Sequence, residues 1–306
     1  MLEKRILGVL EERKFEGILQ SELVKVLNAS KSRVSEVLKE LEDRGIVVRK
    51  KEAGKNLRIW LSRYSKDRIK VGILRASEYA RLISSGDFSF IVYGNAIDLT
   101  RDLALGRIEF GASPLITQVM FGIMMKNIRV LGVVAENGSG VVFGDERNGV
   151  FATTEMSAME MNLRATRERL GVSSFRYCDG PECLINSLAD VEGVAIWEPY
   201  FTTADREKIP FSEIVGDFPC CTLAVNMNFM EENESAASQI LKGMRSSRID
   251  AEKVAGVLGF DERVIRESVK SYRFAPDYSV EEIERYLKRS GVEISRESLS
   301  SVFEYL

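Results

Sequence analysis

Two stretches of this sequence concentrate side chains that recognise a polyanion. Lys31, Ser32, Arg33, Ser35 and Lys39 fall within residues 31–39, and Lys50, Lys51, Lys55 and Arg58 within residues 50–58. Lysine and arginine neutralise phosphates, and an arginine fork matches the edge of a base. Arg33 is the best candidate for such an edge, with the second group meeting phosphates. Histidine is absent from the chain. That excludes Ser-His-Asp triads, Cys-His dyads and imidazole metal ligands. No catalytic set is read, and no metal or cofactor site. The four cysteines, Cys178, Cys183, Cys220 and Cys221, match neither zinc-ribbon nor CxxC spacing, and are read as small buried hydrophobes.

The charge is unevenly divided. Residues 1–64 hold 15 Lys/Arg against 10 Asp/Glu, and the remainder 28 against 36. A small basic module tethered to a larger acidic body implies two tasks, one of them with a polyanion. At 306 residues there is room for two or three compact units. No apolar run is long enough to span a bilayer, and the charge-broken N-terminus does not read as a secretory signal. A cytoplasmic protein is expected.

Apolar positions place three helices in the basic module. Leu2, Ile6, Val9 and Leu10 mark the first, and Leu23, Val24 and Leu27 the second, opened by Ser21. Val34, Val37, Leu38 and Leu41 mark the third. Ser30 or Ser32 caps the third helix and Gly45 stops it. Residues 46–51 and 56–61 read as a hairpin turning at Glu52–Lys55. The stretch SELVKVLNASKSRVSEVLKELEDRGIVVRKKEAGKNLRIWLS resembles the MarR-type winged helix-turn-helix family over residues 1–62. The resemblance implies a DNA-binding domain at 1–63, followed by a polar linker at 64–69.

Beyond it, strand-like and helix-like segments alternate: strands at 70–74, 88–92, 108–112 and 128–134, with helices between. Ser113-Pro114 is expected to start the helix at 115–126. The pattern restarts after residue 140, with a strand at 149–152, a helix at 155–170, a strand at 175–178 and a helix at 181–188 opened by Asp179. A strand at 193–197 leads into Glu198-Pro199, and 222–225 returns the chain to the first lobe. Such alternation predicts an α/β fold with mostly parallel strands. The helix face at Met120–Met125 reads as packing, and the 231–306 tail as helical.

The segments KVGILRASEYARL, GRIEFGASP, GVFATTEMSAMEMNLRATRERLG and GVAIWEPYF, in that order, resemble the type II periplasmic solute-binding fold, in its nitrate, sulfonate and thiamine-pyrimidine-precursor branch. The resemblance covers residues 70–306, with a second lobe at about 136–224. It implies a cleft between lobes, where loops and helix N-termini hold a small, anionic molecule. The loops expected there carry Arg75, Ser77, Asn95, Ser113, Asn137, Thr153, Thr154, Trp197 and Glu198. Of these, Ser113 and Thr154 are the best supported by position, Arg75 suits an acidic group, and Glu198 is a gate or hinge. Two departures stand out: no export signal is read, and Glu109 replaces the usual aspartate.

Together these readings predict a ligand-responsive regulator that binds double-stranded DNA as a homodimer, senses a small molecule, and uses no membrane. The alternatives are a DNA-free binding protein and an enzyme similar to those making the thiamine pyrimidine. The second is weakened because that catalyst requires histidine and a cysteine-rich motif.

Overall fold

The computed structural model describes residues 2–13, 17–51, 56–64, 69–86 and 88–303. The chain divides into two compact units, Met1–Lys70 and Val71–Leu306.

In the first unit, α1 (Leu2–Arg13), α2 (Gln20–Leu27) and α3 (Lys31–Asp43) pack beside a small antiparallel sheet in the order β1 (Ile18–Leu19), β3 (Leu57–Leu61), β2 (Val47–Lys51). Ile6, Leu10, Leu23, Val34, Leu38, Leu41, Val47 and Ile59 are sealed inside. Their helical spacing explains why these segments are helices, since each buries one apolar stripe. Ser30 caps α3 by accepting from the Arg33 N–H at 3.3 Å. Gly45, at φ +70°, follows its end, a left-handed position that glycine fills without strain. α2 starts one residue before Ser21 and has no side-chain cap. β1 is two residues long and has no sequence periodicity to betray it.

The second unit holds two sheets. The first has six strands in the order β14 (Tyr272–Phe274), β7 (Ile128–Asn137), β13 (Pro219–Asn226), β6 (Phe110–Pro114), β4 (Lys70–Leu74), β5 (Ser89–Tyr93). The second has five, in the order β10 (Ser174–Tyr177), β9 (Val150–Thr153), β11 (Gly193–Trp197), β8 (Ser139–Phe143), β12 (Lys208–Pro210). The expectation of mostly parallel strands is corrected. β4–β6, β9–β10 and β9–β11 are parallel, but β13 runs antiparallel to β6 and β7, β14 to β7, and β8 to β11 and β12. The cause is the route between lobes. β7 passes into β8 without a helical crossover, and β13 re-enters between β6 and β7 running the other way.

Other local expectations also change. Ser113 lies in β6 rather than at a helix cap, and Pro114 precedes the helix Leu115–Met125. The helix expected at 155–170 begins only at Ala158, capped by Ser157, and breaks at Thr166. The Thr166 hydroxyl there donates to the Asn162 carbonyl at 2.7 Å, a bond that loosens helical geometry. Gly180, not Asp179, stands at the start of helix Pro181–Asn186. Within the stretch read as packing, Met124 and Met125 are exposed.

Two passages join the lobes, and Asn137 clamps them. Its backbone N–H donates to the Phe218 carbonyl at 3.2 Å, its Oδ1 accepts from the Phe218 N–H at 3.4 Å, and its Nδ2 donates to Asp217 at 2.9 Å. Gly138 (φ +70°) follows, and a Cβ there would lie 1.9 Å from the Tyr272 ring. The Gly138 carbonyl accepts from the Glu198 N–H at 2.9 Å. The Glu198 carboxylate is buried, and accepts from the Thr202 N–H at 2.9 Å, the Thr202 hydroxyl at 2.8 Å and the Ser271 hydroxyl at 2.9 Å. Nearby, buried Glu136 accepts from Arg273 and Tyr278 and so fastens the tail to β7.

Two outcomes test this junction. Gly138→Ala combines a φ unfavourable for alanine with a ring collision and is expected to cost about 2–4 kcal/mol, read as a lowered midpoint in thermal unfolding. Burial raises the Glu198 pKa, although the bonds from Thr202 and Ser271 oppose the rise. The folded chain therefore holds that proton more tightly than the unfolded chain does. The resulting stability is fully present below the ordinary glutamate value of about 4.3 and is lost as pH rises through the raised value. Urea unfolding from about pH 4 to about pH 7 is expected to show the wild type losing stability relative to Glu198→Gln as pH rises.

Candidate functional sites: a basic helix–hairpin face and a two-lobed cleft

In the first unit, burial of Val34, Val37, Leu38 and Leu41 turns the opposite face of α3 outward. Lys31, Ser32, Arg33 and Lys39 are exposed there and Ser35 is half-buried. The Arg33 guanidinium pairs with Glu36 at 3.0 Å, both side chains being mostly exposed. Such a pair is worth little in water and is readily exchanged for a phosphate or a base. On the hairpin, Lys50 stands directly opposite Arg58, so two cations share one face. Lys51 is exposed, and Lys55 lies outside the described residues. Arg49, not singled out from sequence, donates to Glu42 of α3 through Nε at 2.8 Å and again through Nη2. This fork ties the hairpin to the exposed helix.

In the second unit a cavity of about 540 Å³ opens between the two sheets. Arg75, Asn95, Thr154 and Trp197 line it. The side chains of Arg75, Asn95 and Trp197 have polar work already. The Arg75 Nε and Nη2 donate to the Leu258 and Gly259 carbonyls at 3.0 and 3.1 Å, its guanidinium lies 4.6 Å from the Phe260 ring centre, and Nη1 faces Glu182 at 3.6 Å across the cleft. Trp197 Nε1 donates to the Arg75 carbonyl at 3.1 Å. The Glu182 and Trp197 contacts link the two lobes.

Ser77, Ser113, Asn137, Thr153 and Glu198 are not among the residues lining the cavity. Ser113 shares a 2.9 Å hydrogen bond with Thr100 inside the first lobe. Ser77 and Thr153 are fully buried. Asn137 and Glu198 belong to the junction described above. At three of these positions the cavity is met by a neighbour instead: Glu78, Pro114 and Thr154.

The charged residues of the lining are mostly carboxylates. Arg75 is the one cation among the described lining residues, against Glu78, Asp98, Glu155, Asp179 and Glu182. The helix N-termini expected to hold an anion are occupied by the chain's own groups. Asn95 Oδ1 accepts from the Asp98 N–H at 2.8 Å, Ser157 Oγ from the Glu160 N–H at 3.2 Å, and Glu160 from the Met156 N–H at 2.8 Å. Carboxylates in those first turns already use the helix dipole.

All but one of the chain's cysteines line this cavity: Cys178, Cys220 and Cys221. Cys178, buried, and Cys183, exposed, are joined by a disulfide, which corrects their reading as a pair of isolated buried hydrophobes. Cys220 and Cys221 are free and buried. The Cys221 thiol donates to Glu78 Oε1 at 2.9 Å and accepts from the Tyr79 hydroxyl at 3.3 Å. Burial raises the Glu78 carboxyl against hydrogen bonds that lower it, and also raises Tyr79. The bond with Cys221 lowers the Cys220 thiol, but burial and Glu78 push it up to about 11. Burial, then the bond with Cys220, raises Cys221 well above the ordinary thiol range. The floor of the cleft is thus a buried carboxyl–thiol cluster that sequence spacing did not reveal, because Glu78 comes from a different segment.

Comparison with known proteins bears on both units. Residues 2–55 match the MarR family. The body is similar to several solved structures at low identity. The ligand-binding component of an ABC-type import system from Staphylococcus aureus, solved with zinc bound, is 14% identical with a TM-score of 0.66, covering 78% of this chain and 96% of its own. The alkanesulfonate-binding protein SsuA from Xanthomonas axonopodis pv. citri, bound to MOPS, is 15% identical with a TM-score of 0.60, covering 78% and 98%. The periplasmic nitrate-binding protein NrtA from Synechocystis PCC 6803 is 12% identical with a TM-score of 0.59, covering 76% and 84%. Comparison with curated proteins returned no match. No helix among the described residues is long and apolar enough to cross a membrane. The chain therefore joins a MarR-family winged helix-turn-helix segment to a two-lobed body with the type II periplasmic solute-binding fold.

Proposed function

We propose that this chain is a transcription regulator whose winged helix binds double-stranded DNA and whose two-lobed body senses a small molecule. The carrying observation is the pairing, in one chain, of an exposed basic helix and hairpin within a MarR-family segment and a solute-sized cleft in the body. Lys31, Ser32, Arg33, Ser35 and Lys39 would enter the major groove, while Lys50, Lys51, Lys55 and Arg58 would meet phosphates. The acidic cleft supports a cationic effector. The chain would work in the cytoplasm as a homodimer and not as an enzyme. The absence of histidine and the non-catalytic character of both kinds of relative support that reading.

In this reading, closure of the lobes alters the separation of two DNA-binding units whose half-sites repeat at about 34 Å. Coupling is bounded by the ligand's preference for the closed form, typically about 1–3 kcal/mol.

The test is a gel-shift series over a range of salt with DNA from upstream of the protein's own coding region. A salt-sensitive shift is expected. Lys50→Ala should weaken binding to all sequences and reduce the slope of log affinity against log salt by about 1. Arg33→Ala should cost about 1–3 kcal/mol on the preferred site and relax its sequence preference. Absence of a shift with any genomic promoter fragment, with or without small molecules present, would sink the proposal.

A further inference from the structure

We propose that the floor of the cleft is a binding site for a thiophilic divalent cation, held by the Glu78 carboxylate and the Cys220 and Cys221 thiolates. This deepens the reading of the cleft as a ligand site and rests on it. The three side chains are 3%, 2% and 1% exposed, yet all line the cavity. Their donor atoms lie within 4.8 Å of one another. Successive strand residues ordinarily face opposite ways. Here Pro219 pairs with Glu136 and Cys221 with Ala135, so Cys220 is the extra residue of a bulge. A bulge re-aims side chains, and this one brings two consecutive thiols to the same cluster.

A second observation points to a missing partner. Glu78 Oε2 is buried and accepts no hydrogen bond. A carboxylate oxygen in that state is costly unless something positive or protic meets it. Two sulfurs and one oxygen suit a borderline or soft metal such as zinc or cobalt rather than calcium or magnesium. Three protein ligands leave a tetrahedral ion one position, on the cavity side. The surrounding charge agrees, since Asp98, Glu155, Asp179 and Glu182 all line the same space. Binding requires the thiol protons to leave to solvent as the metal–sulfur bonds form, with no change in oxidation state.

The full chain, purified, reduced and stripped with a chelator, is titrated with Co²⁺ alone and then Zn²⁺ alone. The expected result is one ion per chain by native mass spectrometry, with thiolate-to-cobalt charge-transfer absorption that zinc abolishes. Cys220→Ser, Cys221→Ser and Glu78→Gln should each weaken binding by more than about 100-fold, beyond the loss usual for outer partners of a metal ligand. The Cys178→Ser/Cys183→Ser double variant should bind as the wild type does. If a single-site variant fails to fold, the wild type still decides. Zn²⁺ should slow alkylation of Cys220 and Cys221, mapped by mass, by at least about tenfold. Absence of the charge-transfer band, binding unaffected by loss of Cys220 and Cys221, or unaltered alkylation would each overturn the proposal. If an organic cation is retained in native spectra while metal is not, this inference falls and the cleft reading stands. If neither binds, both fall.

Discussion

The body depends on a steric constraint at the point where β7 becomes β8. Two lobes joined by two passages need those passages held side by side, or the sheets would lose their relation to one another. Asn137 does this with backbone and amide bonds to Asp217 and Phe218. Gly138 follows with no room for a side chain beneath Tyr272. Tyr272 opens β14, which is the edge strand of the first lobe, and Ser271 beside it reaches Glu198 at the end of β11 in the second. First lobe, second lobe and helical tail therefore meet within a few residues. Glu198, conceived from sequence as a gate or hinge, is placed at this meeting point with its carboxylate fully engaged.

The lining side chains of this cleft carry chemistry that the fold alone does not specify. Fold similarity at 12–15% identity carries the architecture, and the lining side chains decide the chemistry. Here the helix N-termini are filled by Asp98, Glu160 and their caps, and Arg75 is spent on carbonyls and an aromatic face. What remains to greet a solute is carboxylate, sulfur and aromatic surface.

Periodicity made α3 legible because one helix face alone is buried there, and Ser30 advertised its start. The body's strand–helix alternation was legible for the same reason. Strand direction was not, because pairing between β13 and β6 or β7 joins residues distant in sequence. The cavity lining failed in an instructive way. Ser77 and Ser113 were singled out, while the cavity meets Glu78 and Pro114; Thr154, singled out together with Thr153, does line it. Both misses are off by one residue: Ser113 lies within β6, where one residue reverses the facing side, and Ser77 lies in a short 3-10 turn. Sequence located the loops and could not set their parity. At Cys220–Cys221 a bulge cancels that parity, so both thiols arrive together. The Arg49–Glu42 fork was also out of reach, since nothing local distinguishes Arg49 from its basic neighbours.

Arg75 and Glu182 face each other from opposite walls of the cleft with 41% and 68% of their side chains accessible to water. An attraction so placed is felt through solvent and fades as dissolved ions crowd in, whereas the carbonyl bonds on the same guanidinium are sheltered. Ionic strength thus acts on one arm of a two-armed fastener. Concentrated salt would weaken that one attraction and leave in place the carbonyl bonds of the guanidinium and the Trp197 bond to the Arg75 carbonyl.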